Sequence, residues 1–170
     1  MSPEPTIDDL APDGNWDALG VIDGATETRS KTERILQAVE ALLAGTAGVP
    51  GTRIWRERYE PPSREECPFL NIVAENEPHE NDEQGVLPFV DASLLLQIEI
   101  GINGRPLSAL ADPIRVDVHQ RLMADRSLGG LSSNIHSVGV GWDSSPGEIG
   151  IARLRYLVKF RTWRDDLKFG

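Results

Sequence analysis

Apolar residues recur at helical spacing in two stretches of the chain and at strand spacing in five. Ile35, Leu36, Val39, Leu42 and Leu43 return every three to four positions, which gathers them on one helix face. Ser30-Lys31-Thr32-Glu33 stands just ahead of them. A serine at the N-cap and a glutamate three residues later can each satisfy an amide that the first helical turn leaves without a partner. Gly45 follows the last apolar residue, so a helix over 31–44 is predicted. Farther on, Ile114, Val118 and Leu122, with Leu110 one turn earlier, form an i, i+4 stripe. Asp112-Pro113 reads there as an N-cap followed by a proline at the first helical position, and a second helix is expected over about 109–124.

The strand signals are alternations. Arg53 to Tyr59 alternates between Pro50-Gly51 and Pro61-Pro62, and Phe69, Leu70, Ile72 and Val73 suggest a second strand. From Ala92 to Ile102, Leu94, Leu96, Ile98, Ile100 and Ile102 share one parity, with Ser93, Leu95, Gln97, Glu99 and Gly101 on the other. A long strand with one buried face is expected. Ile135 to Trp142 and Ile151 to Trp163 complete the set, after a turn at Leu128-Gly129-Gly130-Leu131 and around Asp143-Ser144-Ser145-Pro146-Gly147. The order α-β-β-β-α-β-β describes an α+β domain: a mostly antiparallel or mixed sheet with two helices packed on one face.

With 170 residues, one domain is expected, spanning 30–170. Residues 1–29 differ in kind, with seven acids against the single base Arg29, three prolines and sparse apolar residues. They read as an acidic arm, extended or disordered by itself, which orders on a partner through Trp16, Leu19, Val21 and Ile22 in the more specific reading. The charge of −10 opposes a general nucleic-acid binder, which needs cations to displace counterions from phosphates. No stretch approaches the roughly 20 apolar residues of a membrane span, and MSPEPTIDDL lacks the features of a secretory signal. A soluble chain assembled in a cytoplasm is expected. Cys67 is the only cysteine, so neither an intrachain disulfide nor a four-thiolate zinc site is available.

No catalytic residue, cofactor-binding residue or metal ligand emerges. His79, His119 and His136 are far apart and lack His-x-x-x-His or Glu-x-x-His spacing, and His119 beside Val118 suits a structural or interface role. Cys67 before Pro68 reads as a passive thiol. Asp13 to Asp17 opens like a calcium loop, but Ala18 and Gly24 occupy the positions that require Gly and Glu. Glu75 to Gln84 is polar and acidic, an expected exposed loop. Glu77, Glu80, Asp82 and Glu83 could hold a divalent cation weakly, although a solvated loop is the simpler reading. The glycines near 129 and 139 lack the Lys-Ser/Thr of a phosphate loop.

One feature resists a bland explanation. Arg153, Arg155, Lys159 and Arg161 share one parity of the last strand, while Leu154, Tyr156, Val158 and Phe160 share the other. The basic stripe is either a solvated face or a surface that meets carboxylates of a second copy or partner. Almost all the net charge lies before residue 84, and unlike surfaces in head-to-tail contact generate rings when the rotation closes.

From Lys31 to Leu167 the chain resembles the tail terminator proteins of long-tailed bacteriophages, the family of the lambda-type minor tail protein U. The resemblance is carried by the leading amphipathic helix, Thr52 to Arg58, and Cys67-Pro68-Phe69-Leu70-Asn71-Ile72-Val73. It continues through the long strand before the second helix, Val118 to Asp125 leading into Ser127 to Leu131, and Tyr156 to Thr162. The arm departs from the family's compact pattern.

The resemblance implies a structural virion protein rather than an enzyme. It implies a homohexameric ring that caps the tail tube, stops its polymerisation at the set length and receives the head-completion or connector protein. Its place would be the head-proximal end of the tail. Genomic DNA would pass the pore without specific binding, helped by an acidic lumen. On this reading Arg153, Arg155, Lys159 and Arg161 form a subunit or partner interface. Glu75, Glu77, Glu80, Asp82 and Glu83 lie on a ring face or in the lumen. A head–tail connector or tail completion protein is the nearest alternative. A small acidic ligand-binding or enzymatic α+β domain is the alternative from another class.

Overall fold

The computed structural model of the protein describes residues 29–76, 88–144 and 149–168. The expected arm, apart from Arg29, therefore lies outside the described residues. Helix α1 spans Lys31–Leu43 and starts as its sequence dictates, with the Ser30 side chain accepting from the Glu33 amide at 3.1 Å. It ends one residue before the expected boundary, with the Ala44 amide on the Glu40 carbonyl.

Five strands follow in a single sheet: β1 (Ile54–Arg56), β2 (Phe69–Asn76), β3 (Phe89–Ile102), β4 (Asn134–Asp143) and β5 (Gly150–Trp163). Helix α2 (Leu107–Ala124) lies between β3 and β4 in sequence. The spatial order is β1-β2-β3-β5-β4, with β1 parallel to β2 and every other pair antiparallel. Both helices pack on one face, so the architecture is the α+β arrangement read from the alternating patterns.

The core follows strand parity. Leu94, Leu96 and Ile98 stand opposite Val158, Tyr156 and Leu154, and Ile98 and Ile100 in turn oppose Ile72 and Leu70. These side chains are buried against Ile35, Val39 and Leu43 of α1 and Ala111, Ile114, Val118 and Leu122 of α2. Full burial of each large aliphatic side chain contributes roughly 1.5–3 kcal/mol before its entropy cost.

Three expectations change. The strand expected over 53–59 contracts to Ile54–Arg56, because Arg53 closes a 3-10 turn and Glu57 adopts a φ of +50° that swings the chain away. Asn71 then holds the departing backbone, its Oδ1 accepting from the Arg58 amide at 3.1 Å and its Nδ2 donating to the Arg58 carbonyl at 3.2 Å. Second, α2 starts at Leu107, not at the Asp112-Pro113 signal, and Pro113 lies inside the helix. Leu107 packs on Gly150, where a Cβ would come within 2.8 Å of its side chain, and this contact extends the helix upstream. The buried stripe consequently runs through Leu107 and Ala111, while Leu110 is exposed. Third, Glu75 belongs to β2 rather than to a loop, next to a bulge between Ala74 and Asn76.

The helix-free face of the sheet is not bare either. Ser93, Gln97 and Gly101 of β3 are buried there. Phe69 lies flat over Gly101, its register partner, so closely that a Cβ at Gly101 would sit 1.9 Å from the ring. Trp55 extends the cover, with ring centroids 5.1 Å apart, and the Arg58 guanidinium sits 3.9 Å over Trp55. Rings and long polar side chains here replace a second helical layer.

Candidate assembly surfaces

Strand β5 projects Arg153, Arg155, Lys159 and Arg161 from the helix-free face, with Leu157 half-buried in their midst. The β3–β5 register places Glu99, Gln97, Ser93 and Asp91 directly opposite the four cations. Arg153 reaches Glu99 at 3.2 Å and Asp143 at 3.3 Å. Arg155 donates to Gln97 Oε1 at 3.3 Å and lies 3.8 Å from Glu75. Arg161 grips Asp91 with Nε and Nη2 at 2.8 and 3.3 Å, over the ring of Phe89. The Arg161 guanidinium holds the Asp91 carboxyl below its ordinary range. Lys159, opposite Ser93, pairs with no carboxylate among the described residues. It lines a hollow of about 400 Å³ with Ser93, Ser133 and Arg161.

The residues singled out from the sequence thus divide. Glu75 sits beside the stripe, whereas Glu77, Glu80, Asp82, Glu83 and His79 lie outside the described residues. Cys67 is half-buried, and burial pushes its thiol pKa up, away from the reactive thiolate. Among the described residues no three of His, Cys, Asp and Glu converge as a metal site would require. No described helix is long and apolar enough to cross a membrane.

Helix α2 and β4 leave a groove of about 350 Å³ between them, lined by Arg115, Val116, His119, Val140, Leu154 and Tyr156. The sheet extends one strand beyond the helical layer, so Val140 and Trp142 face the helix side without cover and are 39% and 46% exposed. At the groove floor Tyr156 is buried, which pushes its phenol pKa up to about 12, and its hydroxyl lies 3.2 Å from His119 Nδ1. His119 therefore stands in a groove wall. A bulge between Ser137 and Gly139 leaves Val138 exposed as well. Strand β4 is an edge, and among the described residues its far side pairs with no strand.

The opposite edge, β1, has another character. Trp55, Arg58, Tyr59 and Pro61-Pro62 border a hollow of about 170 Å³, with Tyr59 86% exposed and Arg58 tied to Glu66 at 2.8 Å. One sheet thus ends in two unlike surfaces. The β4 groove escaped sequence reading, since Val140 and Trp142 carry the same alternation as buried strand residues. Only the interleaved Gly139 and Gly141 distinguished this strand as one with a bare second face.

No known family profile matches the sequence, and no curated protein matches it. Among solved structures, the fold is similar to a chain in the virion of a native gene transfer agent (GTA) particle. The superposition has a TM-score of 0.52 at 11% identity, covering 75% of this chain and 95% of that one. The likeness shows a shared fold that accounts for nearly the whole of the virion chain.

Proposed function

We propose that the protein is a structural component of a phage-like virion and acts as a tail terminator. In this role it forms a homohexameric ring at the head-proximal end of the tail, ends polymerisation of the tube protein at the set length and offers its other face to the head-completion or connector protein. It has no catalytic task. The observation that carries the reading is the fold likeness to a chain of a gene transfer agent virion, which extends over 95% of that chain. The order of sequence elements shared with terminators supports the same role.

The sheet supplies a route to a ring. Its two edges, β1 and β4, are unlike and lie at opposite ends of one rigid layer. Contact between unlike surfaces is heterologous, and such contact closes into a ring when the rotation per subunit divides a full turn. Within the stripe, Arg153 and Arg161 are held by carboxylates of their own chain, which leaves Lys159 and the half-exposed Arg155 for a neighbour's acids. The acidic segment from Glu75 to Glu83 is assigned to a ring face or the lumen, where its charge repels passing DNA.

The same likeness accommodates a head–tail connector, because virions contain several ring proteins. Purified full-length protein examined by native mass spectrometry and negative-stain microscopy separates the cases. Six-membered rings that bind tube ends and stop further growth of the tube are the expected result. Rings that bind only the portal side select the connector, and a monomer at all concentrations overturns both.

A further inference from the structure

The unpaired β4 edge, the groove above it and the composition of residues 1–28 fit one another. Strand β4 offers ten residues of backbone with one side free. Above that edge lies an apolar trough of Val116, Val140 and Leu154. Below it Gly139 has nothing within 4 Å of a Cβ position, and Gly141 meets only the Arg153 Cβ at 3.9 Å, so the second face of the edge is flat and open. Two hollows flank the edge, and their walls carry Arg105, Arg115 and His119 but no carboxylate, in a chain of net charge −10. Arg115 bonds Asp112 at 2.5 Å, whereas Arg105 has no described partner.

Residues 1–28 contain seven acids and no Lys or Arg. Within them Asp17, Leu19, Val21 and Asp23 share one parity, and Trp16, Ala18, Gly20 and Ile22 the other. An extended segment with that alternation presents two aliphatic side chains flanked by carboxylates, the complement of an apolar trough with arginines in its walls.

We propose that residues 16–23 of a neighbouring copy add to β4 as a sixth strand. Leu19 and Val21 enter the trough beside Val140, and Asp17 and Asp23 face Arg115 and Arg105. Trp16 and Ile22 cover the glycine face. The donor is the neighbour, not the chain itself, for a topological reason. The segment leads into α1, which packs over β1 and β2, and α2 stands between it and β4. In a head-to-tail ring the neighbour's β1 and α1 side abuts the β4 edge, so its segment starts at the contact. This inference rests on the ring reading and deepens it.

Two measurements on the full chain test it. Hydrogen exchange at ring-forming concentration should slow the amides of residues 138–142 at least about tenfold relative to a Leu19→Ser/Val21→Ser variant whose circular dichroism is unchanged. In a Cys67→Ser background, Leu19→Cys with Val138→Cys, prepared as an equal mixture of isotopically light and heavy chains, should give light–heavy disulfide-linked pairs. Equal exchange in the two proteins overturns the inference, and rings that still form under that result leave the ring reading standing. Cross-links confined to single chains overturn the assignment to a neighbour. Absence of any oligomer overturns inference and ring reading together.

Discussion

Arg161 and Asp91 face each other across the β3–β5 ladder as register partners, and the guanidinium meets both carboxylate oxygens, at 2.8 and 3.3 Å. A cation that sequence parity alone directs toward a neighbour is thereby satisfied within its own chain. The distinction is testable by exchange of charges. Asp91→Arg combined with Arg161→Asp keeps an opposite pair and should preserve ring formation. Lys159→Glu, which reverses the stripe's cation that lacks a described carboxylate partner, should weaken assembly on the order of tenfold, or about 1.4 kcal/mol. Analytical ultracentrifugation reads both. A swapped chain that folds but no longer assembles would place Arg161 against another subunit.

Gly101 and Phe69 form the tightest approach in the sheet. A Gly101→Ala chain must push aside a ring that is 2% exposed and stacked on Trp55. Overpacking of this kind costs about 1–3 kcal/mol. Urea unfolding should show that loss, accompanied by a change in tryptophan fluorescence as Trp55 shifts. Unchanged stability would mean that Phe69 does not cover this face.

Pro113 separates two descriptions of α2. As an interior residue it leaves the Ala109 carbonyl without its helical donor and costs helix stability. Pro113→Ala should therefore stabilise the protein, by about 1–2 kcal/mol once the freer unfolded chain is counted. A proline at the first helical position would give a neutral or unfavourable substitution. Thermal unfolding of the two proteins decides.

The pairing of Glu33 with Arg56 predicts acid sensitivity. Two hydrogen bonds, at 2.9 and 2.7 Å, lower the Glu33 pKa from its ordinary 4.5 to about 2. Its folded-state pKa is depressed, so its contribution is fully present above about pH 4.5 and disappears as pH falls toward 2. Glu66, held by Arg58 and the Ser63 amide, acts in the same direction over the same window. Stability measured from pH 6 to 2 should fall across that interval, and Glu33→Gln should flatten the slope. An unaltered slope would remove this pair from the explanation.

Strand parity in β3 and β5 was readable from the residues because one face is buried along the whole ladder, and the α+β class followed from element order. What local pattern missed depends on contacts between distant segments. The shortening of β1 comes from Asn71, fifteen residues after Arg56, and the early start of α2 from the contact of Leu107 with Gly150. Both are tertiary effects that override local signals. At the candidate site, the sequence placed four cations on one face but could not reveal that β3 aligns Asp91 and Glu99 beneath Arg161 and Arg153. Nor could it show that Val140 and Trp142 extend beyond the helical layer.

The most direct test of the terminator role is electron microscopy of particles produced when this gene is deleted from the genome that encodes it. Headless tails of uncontrolled, abnormal length are expected, with length control restored by the gene in trans. Tails of normal length that fail to join heads, or intact particles, would contradict the assignment.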